Sequence, residues 1–380
     1  MADHITSPRS VLVIGGGASG SAVTVLLRRA GVAVDLIEAK PDWNATTGSG
    51  ITLQGNALRV LRELGVWDQV EASGYPFGSL GVTAPDGTVL FVAEDIQTGG
   101  PDLPATLGMQ RPQLQQILID AVRASGAGIR LGTTAEILDQ DADGVSVRFS
   151  DGSEGGYDLV IAADGLNSAT RASIGITDKP EPTGMAIWRI AAPRPESVTR
   201  TDLAYGGPAY IAGYCPTSEN TIYAYVVEGC RDRAAIDPAT YADEMRRLAR
   251  HYGGAWPEIT AHITDPAKVN YTWFDRLLVE GSWHRGRVVL IGDAAHCCPP
   301  TIAQGAAMSL EDASVLAELL TGGGDWDDEL LQAFHDRRIP RVRTVVEASV
   351  QIGQWQLDGV RDADMAGLVG RTMNLLKERP

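Results

Sequence analysis

The stretch VLVIGGGASGSAVTVLLRRAGVAVDLIE, residues 11–38, decides the fold. Its four apolar residues Val11 to Ile14 predict a strand, and the spacing of Ala22 to Arg29 predicts a helix. A second apolar strand, Val32 to Ile37, follows and ends at Glu38. This order of strand, glycine-rich turn, helix and strand predicts a βαβ unit that carries a dinucleotide fingerprint at its first turn.

The glycine-rich turn has the residue types that a pyrophosphate requires. Gly15 permits the tight turn, Gly17 lets the backbone approach the phosphates, and Gly20 lets helix and strand pack closely. Ala18 and Ser19 complete the turn at the start of the helix. Unpaired N–H groups and the positive end of the dipole at a helix N-terminus favour bound anions. We therefore expect these five residues to hold a dinucleotide.

An acid at the end of the second strand indicates which dinucleotide fits. Glu38 follows Gly20 by 18 residues, close to the roughly 20 that place a carboxylate on ribose hydroxyls. The same carboxylate would repel a 2′-phosphate, so NADP is disfavoured in this site. The unit alone fits either FAD or NAD.

Composition bounds the class of protein. The chain has 380 residues, 44% of them hydrophobic, and a formal net charge of -16, which argues against nucleic acid as the main partner. Its four cysteines include no C-x-x-C pair, so neither a metal site nor a disulfide framework is indicated. We see neither a signal peptide nor an apolar run long enough for a membrane span, and we expect a cytoplasmic protein.

Two more buried strands end in polar turns. Tyr157 to Ala163 precedes Asp164-Gly165 and Arg171, and Val288 to Ile291 precedes Gly292-Asp293-Ala294-Ala295-His296. A helix is predicted from about Ala307 to Leu320. Because parallel strands present their carboxyl ends at one edge of a sheet, both turns should meet a ligand there.

The three motifs together resemble those of the single-component flavoprotein aromatic hydroxylases, the family typified by p-hydroxybenzoate hydroxylase. The resemblance covers nearly the whole chain. It is strongest to the short branch of salicylate, urate and hydroxynicotinate hydroxylases and to the oxygenase that opens a methyl-hydroxypyridine carboxylate ring. It implies an α/β fold in which a Rossmann-type FAD-binding domain carries an inserted mixed β-sheet substrate domain and C-terminal helices.

The resemblance and the hydrophobic pattern together predict a domain division. The FAD-binding domain comprises 1–74, 102–176 and 277–340, the substrate domain 75–101 and 177–276, and the C-terminal helical segment 341–380. Strands are predicted at Met185 to Ala191, Tyr205 to Tyr214 and Thr221 to Val227, a strand pair at Leu80 to Val92, and a helix at Ala235 to Tyr252. In the helical tail, glycines are expected as interruptions at Gly353, Gly359, Gly367 and Gly370.

The resemblance also implies cofactor contacts. Asp293 would accept a hydrogen bond from the ribityl chain of FAD, and backbone N–H groups would face the pyrimidine end of the flavin. Those groups belong to Gln304, Gly305 and Ala306. Other residues matching the family's FAD contacts are Arg111, Asp164 and the loop Gly48 to Ile51, which includes Gly50 and Ile51. The family's usual arginine after Glu38 is replaced by Ala39-Lys40, so Lys40 would make that phosphate contact less well.

Four residues are candidates for the reaction itself. Pro300 would border the reacting edge of the flavin. His296 is a candidate general base, although in most relatives this histidine only packs near the flavin. Arg189 and Tyr223 match substrate-binding residues of the pyridine-ring oxygenase. The alternative is that Arg189 pairs with a protein carboxylate and Tyr223 packs in the sheet. Arg171 is as readily structural as functional.

The implied activity is a monooxygenase reaction. NADH or NADPH would reduce the flavin, and O2 would form a flavin C4a-hydroperoxide that hydroxylates a small phenolic or N-heteroaromatic compound. The chain has no second glycine fingerprint and no redox cysteine pair, which excludes a two-Rossmann disulfide reductase. The open alternative is a flavoprotein oxidoreductase or carrier of the same fold that acts on a non-aromatic ligand. A monomer or homodimer is expected.

Overall fold

The computed structural model describes residues 9–43 and 49–380. The strands are β1 Ser10–Ile14, β2 Ala33–Glu38, β3 Gly50–Gln54, β4 Tyr75–Phe77, β5 Ser79–Thr83, β6 Val89–Glu94, β7 Thr106–Gln110, β8 Gly128–Leu131, β9 Ala135–Gln140, β10 Val145–Phe149, β11 Glu154–Tyr157, β12 Leu159–Ala162, β13 Glu181–Pro193, β14 Thr201–Tyr205, β15 Ile211–Pro216, β16 Thr221–Gly229, β17 Asn270–Leu278, β18 His284–Arg285, β19 Val288–Leu290 and β20 His296–Cys297. The helices are α1 Ala18–Arg29, α2 Gly55–Glu63, α3 Trp67–Ser73, α4 Arg111–Ala124, α5 Ala169–Ser173, α6 Tyr241–Ala249, α7 Trp256–Ala261, α8 Gly305–Thr321, α9 Asp328–Leu357 and α10 Met365–Leu375.

Two large sheets organise the molecule. The first has the order β18-β19-β12-β1-β2-β8, and its strands β8, β2, β1, β12 and β19 run parallel. The second has eight strands in the order β20-β17-β13-β16-β15-β14-β5-β6. This is the predicted α/β architecture, with a nucleotide-binding parallel sheet and a separate mixed sheet that provides a second layer.

The glycine fingerprint forms as predicted. Gly15 has a φ of +102°, a conformation that residues with a Cβ rarely adopt. A Cβ on Gly20 would lie 1.9 Å from the carbonyl oxygen of Gly15, so the close packing of α1 against the turn requires glycine there. Helix α1 starts at Ala18, four residues earlier than predicted, because its first turn includes part of the fingerprint.

Two strand predictions were wrong in the same way, because each merged two strands. The apolar run 157–163 contains the end of β11, which pairs with β10, and the whole of β12, which joins the parallel sheet. The break lies at Asp158, whose carboxylate accepts the backbone N–H of Ser10 at 2.7 Å. The run 205–214 contains the end of β14 and most of β15, which pair antiparallel. Gly206 and Gly207 turn the chain between them with φ values of +86° and +82°.

The helical predictions need two corrections. The predicted helix 235–252 is shorter, because Asp237 caps a 3₁₀ turn and the α-helix spans only Tyr241–Ala249. In the tail, Gly353, Gly367 and Gly370 lie inside α9 and α10 instead of interrupting them. Gly353 lies close to β13, since a Cβ there would be 3.2 Å from the sulfur of Met185. Only Gly359, with a φ of +66°, lies at a break.

Within the described ranges, no helix combines the length and the apolarity that crossing a bilayer requires.

Candidate active site

A cavity of about 500 Å³ lies where the parallel sheet meets the face of the eight-stranded sheet. The sequence-predicted residues that line it are Gly17, Ala18, Ser19, Gly50, Ile51, Arg111, Arg189, Tyr223, Asp293, Pro300, Gly305 and Ala306. A larger groove of about 820 Å³ lies between β17 and α9, but it contains none of the motif residues. The chemistry suggested by the sequence therefore converges on the smaller cavity.

Side-chain hydrogen bonds hold the fingerprint turn at the nucleotide end of this cavity. Glu38 accepts the N–H of Gly16 at 2.9 Å and the N–H of Lys40 at 3.0 Å. The indole of Trp43 donates to the carbonyl of Gly16 at 2.9 Å, and so does the amide of Gln115 at 2.8 Å. The structure thus places Glu38 against the fingerprint turn, and neither Glu38 nor Lys40 is among the cavity's lining residues.

Two charged groups face the open cavity. Asp293 follows β19 in a short 3₁₀ turn, and its carboxyl is open to the cavity. Its position deep in the protein raises its pKa, an effect that His296 and Arg111 partly oppose. Arg111 begins α4, and its guanidinium makes no hydrogen bond or ion pair with the described residues. An unpaired carboxyl and an unpaired guanidinium in one cavity are suited to a ligand with hydroxyl and anionic groups.

The start of α8 lines the same cavity as Asp293 and Arg111. Gly305 and Ala306 line the cavity, whereas the side chain of Gln304 is fully buried behind them. Its amide accepts from Asn56 at 2.9 Å and donates to Gln54. These bonds hold the first turn of the helix, so its free N–H groups have a fixed direction toward the cavity.

Other motif residues lie behind the cavity wall. Asp164 accepts the N–H of Thr170 at 3.0 Å, while its neighbour Gly165 lines the cavity. Arg171 is buried and donates to three backbone carbonyls, those of Leu166, Asp178 and Ala294. The structural interpretation of Arg171 therefore has direct support. The predicted loop Gly48 to Ile51 begins outside the described residues, and its members Gly50 and Ile51 line the cavity.

His296 lies in the scaffold of the site. Its side chain is buried, its ring stacks at 5.2 Å from that of Trp283, and it does not line the cavity. Its Nε2 is 2.6 Å from a carboxylate oxygen of Asp312, which also accepts the N–H of Gly292 at 2.9 Å. This arrangement fixes the turn that carries Asp293.

The eight-stranded sheet supplies the opposite wall. Arg189 on β13 donates to Thr272 and, at 3.4 Å, to Asn270, while its buried Nε has no partner among the described residues. None of the described carboxylates pairs with Arg189, so these residues give no support to the alternative of a structural ion pair, and the role of Arg189 stays a prediction. Tyr223 lies beside Gly50, and burial raises the pKa of its phenol to about 12 although Arg189 opposes the shift.

Comparison with known proteins identifies the family. A family model described as an FAD binding domain matches residues 9–349. The chain belongs to this FAD binding domain family. It is an FAD-dependent monooxygenase of the class A aromatic hydroxylase branch.

The similarity extends over the full length of the relatives. The chain is 32% identical over 97% of its length to YetM of Bacillus subtilis (strain 168), whose name assigns it to the FAD-dependent monooxygenases, and covers 99% of that protein. It is 30% identical to an FAD-dependent urate hydroxylase of Klebsiella oxytoca, over 88% of this chain and 87% of the relative. The structure of Klebsiella pneumoniae HpxO with FAD and uric acid superposes with a TM-score of 0.82 at 25% identity, covering 97% and 92% of the two chains.

Sequence reasoning missed a buried ionic cluster that joins α8 to α9 in this monooxygenase. Glu311 and Asp312 on α8 pair with Arg338 and Arg341 on α9, at N–O distances of 2.8 to 3.0 Å. Burial disfavours both charged carboxylates, yet the arginines, and His296 for Asp312, hold their pKa values below the usual range. The available signal was two adjacent acids inside an otherwise apolar helix, since such residues are almost never buried unless they are paired.

Proposed function

We propose that this chain oxidises NADH or NADPH and uses O2 to hydroxylate a small phenolic or N-heteroaromatic compound. The observation that carries the proposal is a shared cavity. One wall consists of the residues that match flavin contacts, and the other consists of Arg189 and Tyr223 on the eight-stranded sheet. A cofactor held on the first wall would have its reacting face turned toward a substrate on the second.

The residues present fit FAD. A Cβ on Gly17 would meet no protein atom within 4 Å, so the backbone of the fingerprint turn is open to a pyrophosphate. Arg111 would add positive charge near the phosphates, and Asp293 would accept from the ribityl chain. Glu38 accepts one backbone hydrogen bond at each carboxylate oxygen, which leaves lone pairs that would accept from the ribose hydroxyls. Gly305 and Ala306 would offer N–H groups where negative charge develops on reduction.

FAD supplies the hydride acceptor and the oxygen chemistry when it is bound. The chain's own residues position the aromatic ring and exclude water from it. Pro300, Ile51 and the apolar side chains of the sheet surround the space between the two walls. Arg189 would hold an anionic oxygen or carboxylate of the substrate, because a buried guanidinium nitrogen without a partner is costly. Tyr223 would donate to the same oxygen or to a ring hydroxyl.

A stimulation assay tests the proposal. The FAD-loaded protein is incubated with NADH or NADPH, and oxidation is recorded with and without each member of a panel of phenolic and heteroaromatic acids. We expect at least one compound to raise the oxidation rate and to appear as a hydroxylated product. Catalase and a peroxide assay separate hydroxylation from unproductive peroxide release. If every compound leaves the rate unchanged, or if stimulation yields peroxide alone, the hydroxylase proposal is wrong.

A further inference from the structure

The cavity contains two side chains whose buried polar atoms have no partner among the described residues. One is Arg189, through its Nε, and the other is Gln356, through both its Nε2 and its Oε1. Gln356 belongs to none of the sequence motifs. It lies one turn beyond Ile352 in the last part of α9, on the helix face that reaches the cavity.

The surroundings of Gln356 are apolar. Ile352 and Phe274 line the cavity with it, and the same sheet contributes Ile187, Val227 and Ile211. Leu357, the next residue on α9, packs against Gly184 and against the apolar cluster that includes Ile187 and Val227. An unpaired buried amide in such surroundings is unfavourable, because each unmade hydrogen bond of a buried group costs about 1–3 kcal/mol. The two open ends of the amide are therefore suited to a ligand that satisfies both.

The strand register orders the residues of the eight-stranded sheet that line the cavity. Arg189, Tyr225 and Gly213 lie opposite one another in one row across β13, β16 and β15. Ile187, Val227 and Ile211 form the next row on the same face, about 7 Å further along the strands. The cavity wall therefore has Arg189 in one row and three aliphatic side chains in the next, and Tyr205 lies opposite Ile211 at the end of that second row.

We propose that Gln356 is a specificity-determining residue that binds a hydrogen-bond donor and acceptor placed side by side on the substrate ring. A carboxamide presents one N–H and one C=O in a plane, so it pairs in two parallel hydrogen bonds with an adjacent C=O and N–H. The chemical class is a ring lactam, in which the N–H and C=O groups are neighbours. This inference rests on the proposed function, because it concerns the substrate of the same cavity.

Two probes of equal size test this assignment. 2-Quinolone has two fused six-membered rings and a lactam edge, whereas 2-naphthol has the same rings and a hydroxyl in place of that edge. Each is titrated into the FAD-loaded protein, and the change in the flavin absorbance spectrum gives the Kd. We expect the wild-type protein to bind 2-quinolone about tenfold more tightly, as the gain of one neutral hydrogen bond allows. Gln356→Leu should weaken the binding of 2-quinolone and leave that of 2-naphthol unchanged, so that the two Kd values come within about twofold of each other.

A second variant covers the case in which Gln356→Leu does not retain FAD. Gln356→Met keeps a similar length but has neither an N–H to donate to the lactam carbonyl nor a C=O to accept from the lactam N–H, so it should also lose the preference. If the preference persists in the variants, or if the wild-type protein shows none, the role of Gln356 is refuted while the hydroxylase proposal stands. If neither probe perturbs the flavin and no aromatic acid stimulates NAD(P)H oxidation, both proposals are wrong.

A stability measurement separates a ligand contact from a structural one. Gln356→Leu should melt at the same temperature as the wild-type protein or higher, because it removes no hydrogen bond to the described residues. Gln97→Leu is the matched control, since Gln97 donates to the carbonyl of Leu103 at 2.7 Å and should lower the melting temperature. An equal loss in the two variants would show that Gln356 already has a structural partner, such as a trapped water, and would overturn the assignment.

Discussion

The buried ionic cluster that joins α8 to α9 allows a stability prediction with an internal control. The Arg338 side chain is fully buried, and it lies 3.0 Å from Glu311 and 2.8 Å from Asp312. Arg338→Met would remove the guanidinium and leave both carboxylates buried. Glu311 would keep Arg341, and Asp312 would keep its bonds to His296 and the N–H of Gly292. We therefore expect Arg338→Met to lower the free energy of unfolding by about 3–5 kcal/mol, the cost of breaking one buried ion pair.

The neighbouring arginine provides the control. Arg337 also pairs with a carboxylate, that of Glu318 at 2.9 Å, but both side chains are largely exposed to solvent. Because exposed pairs contribute about 0.2–1 kcal/mol, Arg337→Met should cost much less. Urea unfolding at one fixed, saturating FAD concentration compares the two variants, since bound ligand adds to apparent stability. If Arg338→Met costs no more than Arg337→Met, the assigned role of the cluster is wrong.

Four further outcomes are expected. Asp293→Ala should be purified with much less flavin at unchanged fold, measured by the ratio of flavin to protein absorbance; normal flavin content would contradict the motif assignment. Glu38→Ala should weaken FAD affinity by about 1.5–3 kcal/mol in a fluorescence titration and leave substrate preference unchanged. Arg189→Met should raise the KM of an aromatic acid at least about tenfold, while the KM of neutral analogues changes less. Equal changes in KM for acidic and neutral compounds would contradict a contact between Arg189 and a substrate carboxylate. The pKa values of Glu311 and Asp312 are lower in the folded protein than in the unfolded chain, where they are about 4, so the two charged carboxylates contribute to the free energy of unfolding above that pH. Urea unfolding should therefore show this contribution intact at pH 7 and lost as the pH falls below about 4.

The parts of the fold that depend on local sequence could be predicted. The turn of Gly15 and Gly20 requires glycine for reasons of conformation and close packing that act within six residues, and the structure confirms it. The split at Asp158 could not be predicted from the apolar run that contains it. Its cause is a carboxylate that binds the first residue of β1, some 148 positions away in the chain.

The candidate site shows the same division. Asp293 and Arg111 were found because each belongs to a motif with a recognisable spacing. Gln356 has no motif around it, and a lone glutamine on a long helix is normally a solvent-exposed residue. Its unpaired state depends on tertiary packing, which places it in a cavity that Phe274 and Ile352 also line. A property that arises from tertiary packing leaves no local signal in the sequence.

Two groups of buried polar side chains, one in the scaffold and one in the cavity, differ in whether they have partners among the described residues. In the scaffold, Glu311, Asp312 and Arg338 have charged partners at hydrogen-bond distance, so the helices α8 and α9 keep one fixed arrangement. In the cavity, Arg189 and Gln356 retain polar atoms without partners among the described residues. Other buried atoms without partners among the described residues lie away from the cavity, Nε1 of Trp256 and Oγ1 of Thr260 among them, so it is the shared cavity that distinguishes Arg189 and Gln356. That they are left open toward one cavity, at two separated positions, is the expected state of a site whose missing partners belong to the substrate.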